Sequence, residues 1–255
     1  MRIRFALRLA ALLLPCTAAA QQRESLIYSI NWPSGLSLGE GSITAEPSGH
    51  HTDLSLKLEA NIPGFPLRDE YRSRITDGFC SLTFEKDATH GARLASEKST
   101  FDGEKKIVTR ETSKGGKSEV AIGDCAKDAL AFLFFLRKEL AQEPGVRFAY
   151  LYGSVLESDR VHDVDVGLFL DNAAVPQQAT FANSLSATLS AAVGLPIDVR
   201  VLNDAPLSFL YHVLRGQLLL CRDEAFLTDM IEDVARRYLD IAPLLRSCTK
   251  DAFGA

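Results

Sequence analysis

Between residues 24 and 122 the chain falls into eight short runs separated by turn-forming clusters. They read SLIYSINW, LGEGSITAEP, HTDLSLKLEA, DEYRSRIT, CSLTFEK, ARLASEKSTFD, KKIVTRETS and SEVAIG, with PSGHH and SKGGKS among the separators. Side chains along a strand point alternately to opposite faces, so successive runs of this kind fold by pairing with their neighbours. The pattern predicts an antiparallel β domain. It ends in CAKDALAFLFFLRKEL, a helix candidate stopped by Pro144-Gly145. The basic residues change at the same place. Residues 21 to 145 hold nine Lys and seven Arg, whereas 146 to 255 hold one Lys and eight Arg. A boundary in AQEPGVR follows, with a β-rich domain over 21–143 and a second domain over 144–255.

The second half opens with the strand candidate Val146 to Tyr152, which runs into Gly153-Ser154. Gly-Ser can turn sharply and offer backbone N–H groups to a phosphate. A short connection leads to Asp163 and Asp165, which flank Val164 at the start of an apolar run. Period-two alternation puts both carboxylates on one face. Neighbouring carboxylates raise each other's pKa unless a cation separates them, and Mg²⁺ takes oxygen ligands of this type. The plain alternative is an Asp pair at a solvated strand start. A helix candidate from Pro176 to Val193 and the strand candidate LPIDVRVLND, which carries Asp198, come next.

The order strand, Gly153-Ser154, connection, strand with Asp163 and Asp165 resembles the minimal nucleotidyltransferases of the DNA polymerase β superfamily. The likeness runs over roughly residues 146 to 246. It implies that Asp163, Asp165 and Asp198 form a catalytic triad holding two Mg²⁺ ions, and that Gly153 and Ser154 hold the phosphates of a nucleoside triphosphate, expected to be ATP. The implied reaction moves a nucleoside monophosphate to a hydroxyl acceptor, which is a small molecule, a nucleic acid or a protein in that family. Two departures stand out. Eight residues separate Ser154 from Asp163 where the common signature has about ten, and Val155 replaces the Arg that often follows the Gly-Ser pair. Glu157 and Asp159 make the connection acidic, with Arg160 its nearby cation.

Residues 24 to 143 resemble an exported bacterial family, domain of unknown function 3108, on IYSINWPSGLSLGEGSI, STFDGEKK and DALAFLFFLRKEL. The first residues agree with export. MRIRFALRLAALLLPCTAAAQQ combines Arg2, Arg4 and Arg8 with the apolar stretch Leu9 to Leu14 and an Ala18-Ala19-Ala20 end, the form of a signal peptide over residues 1–20. A short N-terminal helix is the other reading. Without the leader, Cys80, Cys125, Cys221 and Cys248 remain. A Cys80 to Cys125 bridge would staple the β domain, and the other two would stay as buried thiols.

The expected fold class is α+β: an N-terminal antiparallel β-rich domain, as a partial barrel or sheet, ending in a helix and followed by a small α/β nucleotidyltransferase-like domain. A net charge of −5, with neither half basic, argues against an extended nucleic-acid footprint. No apolar run after the leader is long enough to span a membrane. GGKS at Gly115 to Ser118 lacks the spacing of a phosphate loop and reads as a hairpin turn, while His50-His51 and His162 read as solvated loop residues. Export and ATP use pull apart. The readings left open are an active transferase, cytoplasmic if the leader is unused; an exported, periplasmic protein whose transferase-like half binds or supports; and a gene fusion without joint function.

Overall fold

The computed structural model describes residues 23–31, 37–62, 64–156 and 161–253, and the leader-like segment lies outside them. The architecture is the α+β arrangement expected from sequence. Eight strands, β1 (Glu24–Asn31), β2 (Ser37–Ser48), β3 (His51–Ile62), β4 (Phe65–Thr76), β5 (Ser81–His90), β6 (Arg93–Asp102), β7 (Ile107–Thr112) and β8 (Lys117–Ala121), form one antiparallel sheet in sequential order. β4 starts four residues before the run DEYRSRIT, because Phe65 to Arg68 continue the ladder with Glu59 to Ile62. The GGKS segment enters β8 from the turn after β7.

Alternation divides this sheet into two unlike faces. Ala45, Leu54 and Ile75 pack with Leu130 and Ala131 of α1 (Ala129–Ala141). The opposite face carries cross-strand ion pairs, including Arg74 with Asp53, Lys57 with Glu70 and Lys98 with Glu85. Such exposed pairs contribute little each, so burial under α1 holds the sheet.

Asp128 fixes where α1 begins. Its carboxylate accepts hydrogen bonds from the N–H groups of Leu130 and Ala131 and from the hydroxyls of Ser73 and Ser81, both at 2.6 Å. The cap therefore also satisfies two buried strand hydroxyls. A disulfide joins Cys80 to Cys125 just before it. α1 is shared between two cores. Its first turn packs on the large sheet, whereas Phe135, Leu136 and Leu140 enter the apolar cluster of the second domain.

That second domain is a four-stranded sheet in the order β11-β10-β9-β12. β9 (Val146–Tyr152) runs antiparallel to β10 (Val164–Leu170) and to β12 (Gln217–Cys221), while β10 and β11 (Ile197–Val201) are parallel. The parallel pair requires a crossover, supplied by α2 (Gln178–Val193), which begins two residues after the Pro176 expected from sequence. α2 buries Ala182, Leu185 and Leu189 beside Val164, Val166 and Leu168. On the other face, α3 (Leu207–Val213) and α4 (Glu224–Phe253) cover Phe148 and Tyr150 with Leu210, Val213, Leu227 and Val234. Arg147 ties β9 to the start of α4 through Asp223 at 2.6 Å and lies over the Phe226 ring at 3.9 Å. Cys221 is half-buried rather than enclosed, on β12 at the edge of the described sheet, where it packs against the cluster under α3 and α4; the Cys248 side chain lies outside the described residues. Among the described residues no helix is long and apolar enough to cross a membrane.

Candidate active site

Tyr152 ends β9, and Gly153 follows with φ of +82°, a left-handed conformation that L side chains rarely adopt. The turn serves a close contact as well. A Cβ added at Gly153 would stand 2.4 Å from Oδ2 of Asp165, so the glycine backbone lies directly against that carboxylate. Ser154 opens a single 3₁₀ turn and is exposed beside it. Residues 157–160, with Glu157, Asp159 and Arg160, lie outside the described residues.

Register brings the acids together. Asp165 pairs with Tyr152 on one side and with Asp198 on the other, across the parallel β10–β11 ladder. The flanking residues Val164, Val166, Ile197 and Val199 point into the core under α1 and α2, so Asp165 and Asp198 point to the opposite face. That is the side of α3 and α4. Asp163 is exposed two residues before Asp165, and Val164 is anchored by its N–H to the Pro196 carbonyl at 2.9 Å.

The acids feel one another. Burial, and then the charges of Asp163 and Asp198, push the Asp165 carboxyl above its ordinary range. Burial, and then the charge of Asp165, pushes the Tyr152 phenol up to about 12. Arg200, two residues along β11, donates from Nε at 2.9 Å and Nη2 at 2.8 Å to the same Oδ2 of Asp198. The hydrogen bonds and charge of Asp198 hold the guanidinium above its usual pKa. No group of three or more His, Cys, Asp or Glu among the described residues is arranged to hold a metal ion. His162 is exposed next to Asp163. The donor chemistry, three carboxylates without nitrogen or sulfur, is nonetheless the hard oxygen set that suits Mg²⁺.

Arg200 also borders a cavity of ≈ 600 Å³ lined by Gln178, Asp204, Pro206 and Phe209. Phe209 meets the Tyr152 ring edge-on at 5.6 Å, which braces the residue before Gly153. A larger cleft, ≈ 670 Å³, crosses the charged face of the eight-stranded sheet. None of the three acids lines either cavity, but the charges of the larger one already pair with one another, whereas the smaller one is bordered by Arg200, the partner of Asp198. Sequence reading did not single out Arg200, although the spacing in IDVRV puts it on the same strand face as Asp198.

Residues 136–225 match the family described as Polymerase beta, Nucleotidyltransferase. The strands that carry the three acids thus lie in a segment that resembles a nucleotidyltransferase domain. The matched span starts inside α1 and ends at the first residues of α4, so it includes the helical segment that packs with the second core. Among solved structures, the toxin–antitoxin MntA-HepT is similar at 16% identity and a TM-score of 0.37, covering 48% of this chain and 97% of that one. A toxin–antitoxin with AMP-PNP is similar at 19% identity and a TM-score of 0.35, covering 46% and 98%. A tri-AMPylated Shewanella oneidensis HEPN toxin in complex with MNT antitoxin is similar at 17% identity and a TM-score of 0.33, covering 46% and 98%. No curated protein matches the chain.

Proposed function

We propose that the chain is a metal-dependent nucleotidyltransferase that moves a nucleoside monophosphate, AMP from ATP, onto a hydroxyl acceptor on a small molecule or partner protein. One observation carries the reading: Asp165 lies against the Gly153 backbone and beside Asp198 in register, with Asp163 two residues away in sequence. The family match over the same strands supports it. Asp163, Asp165 and Asp198 would hold Mg²⁺, which when bound neutralises charge on the polyphosphate and lowers the barrier to displacement at phosphorus. The N–H groups of the Gly153-Ser154 turn would orient the phosphates. Asp198, at the exposed edge strand, would accept the proton of the attacking hydroxyl.

A second reading rests on the Cys80–Cys125 disulfide and on the leader-like residues 1–20. Disulfides persist in oxidising compartments, where ATP is scarce. Under this reading an exported, periplasmic protein keeps the transferase-like half as a binding or structural module. One pair of measurements separates the two. Full-length protein incubated with Mg²⁺ and α-labelled ATP transfers label to itself or to an added acceptor fraction, and Asp163→Ala with Asp165→Ala abolishes transfer. Labelling that survives the double substitution removes the metal assignment. Peptide mapping without reductant then reports the first residue and the thiol state of protein from its native cell: a chain beginning at Gln21 with the bridge formed supports export, and one beginning at Met1 with free thiols refutes it.

A further inference from the structure

Arg200 supplies from within the chain the positive charge that the acidic cluster requires. It shares a strand face with Asp198 and forks both donors onto one carboxylate oxygen. Both partners are open to solvent: the Arg200 and Asp198 side chains are 58% and 47% exposed, and Arg200 borders the ≈ 600 Å³ cavity. Because guanidinium matches a phosphate as well as a carboxylate, an arriving polyphosphate offers it an equivalent partner.

We propose that Arg200 is a resident counter-ion that occupies Asp198 in the nucleotide-free protein and transfers to the polyphosphate when metal and nucleotide bind together, releasing Asp198 as a ligand. The assignment rests on the transferase reading above. It makes metal binding depend on nucleotide: metal alone must compete with an ion pair, whereas metal with a triphosphate finds the pair already exchanged.

Mn²⁺ binding by the full-length protein, followed by electron paramagnetic resonance of the free ion, tests this without turnover. Without nucleotide, Arg200→Gln binds Mn²⁺ about fivefold more tightly than the parent, the equivalent of removing one exposed ion pair. Arg200→Lys, which keeps the charge but loses the fork, falls between them. Arg215→Gln, where the guanidinium lies over Tyr211 and pairs with none of the three acids, controls for net charge and leaves Mn²⁺ affinity unchanged. With AMP-PNP present the order reverses, and Arg200→Gln holds nucleotide less tightly than the parent. A merely structural role weakens both affinities and lowers the melting temperature. Equal or weaker Mn²⁺ binding by Arg200→Gln, or unchanged AMP-PNP affinity, overturns the assignment. If neither protein binds Mn²⁺ with or without AMP-PNP, the metal reading itself is wrong and the role of Arg200 falls with it.

Discussion

Replacing Gly153 by Ala tests how tightly the turn is built around Asp165. Two costs add. At φ of +82° an L side chain meets its own backbone, which costs about 1–2 kcal/mol. The new Cβ would also stand 2.4 Å from Oδ2 of Asp165, so the carboxylate must retreat by about 1 Å to reach ordinary contact. Pushing the side chain off its rotamer adds about 0.5–1.5 kcal/mol. The expected loss is therefore about 1.5–3.5 kcal/mol in urea unfolding at neutral pH. Gly194 isolates the first cost, because it has φ of +73° at the end of α2 and nothing within 4 Å of its added Cβ. Gly194→Ala should lose only the backbone share. In the double variant Gly153→Ala with Asp165→Ala, the steric share should vanish, since the atoms in collision are gone. Under the proposed transferase function, a carboxylate misplaced by about 1 Å should lower transfer by about a hundredfold. The reasoning is refuted if Gly153→Ala is no less stable than Gly194→Ala, or if its cost is the same with and without the Asp165 carboxylate.

The raised Asp165 carboxyl sets a pH dependence with a definite sign. A carboxyl whose folded pKa lies above its unfolded value contributes stability that is fully present below the unfolded value of about 3.9 and lost as pH rises through the folded one. Asp165→Asn should therefore be more stable than the parent at pH 7, and the gain should disappear in unfolding curves taken below about pH 4; a gain independent of pH would remove the assigned cause. The Cys80–Cys125 bridge spans 45 residues, and closing a loop of that length stabilises by about 4 kcal/mol through the unfolded chain. Reduction verified by mass spectrometry should lower the melting temperature by about 10 °C, and an unchanged melting temperature would show that packing around Phe79 and Asp128 holds the loop without it.

Local pattern was enough for the elements. Strand-forming runs and turn clusters marked out β1 to β8, and Val146 to Tyr152 is a strand with the limits read from its residues. Period-two alternation predicts one face for Asp163 and Asp165, but β10 begins only at Val164, so the rule applies to Asp165 and not to Asp163, which precedes the strand. What lies beside Asp165 is not set locally. Only the parallel register of β10 with β11 sets Asp165 against Asp198, and only the path of the chain after Tyr152 presses Gly153 onto the same carboxylate. The sharing of α1 between two cores was equally hidden, because an all-apolar run such as AFLFFL shows that a helix is buried without showing by what. Asp128 reads in sequence as a helix cap, yet the buried Ser73 and Ser81 that it satisfies lie 55 and 47 residues away. Arg200 follows the same logic. Its spacing from Asp198 was visible, but its hold on that acid, on an edge strand and beside a cavity, appears only in three dimensions.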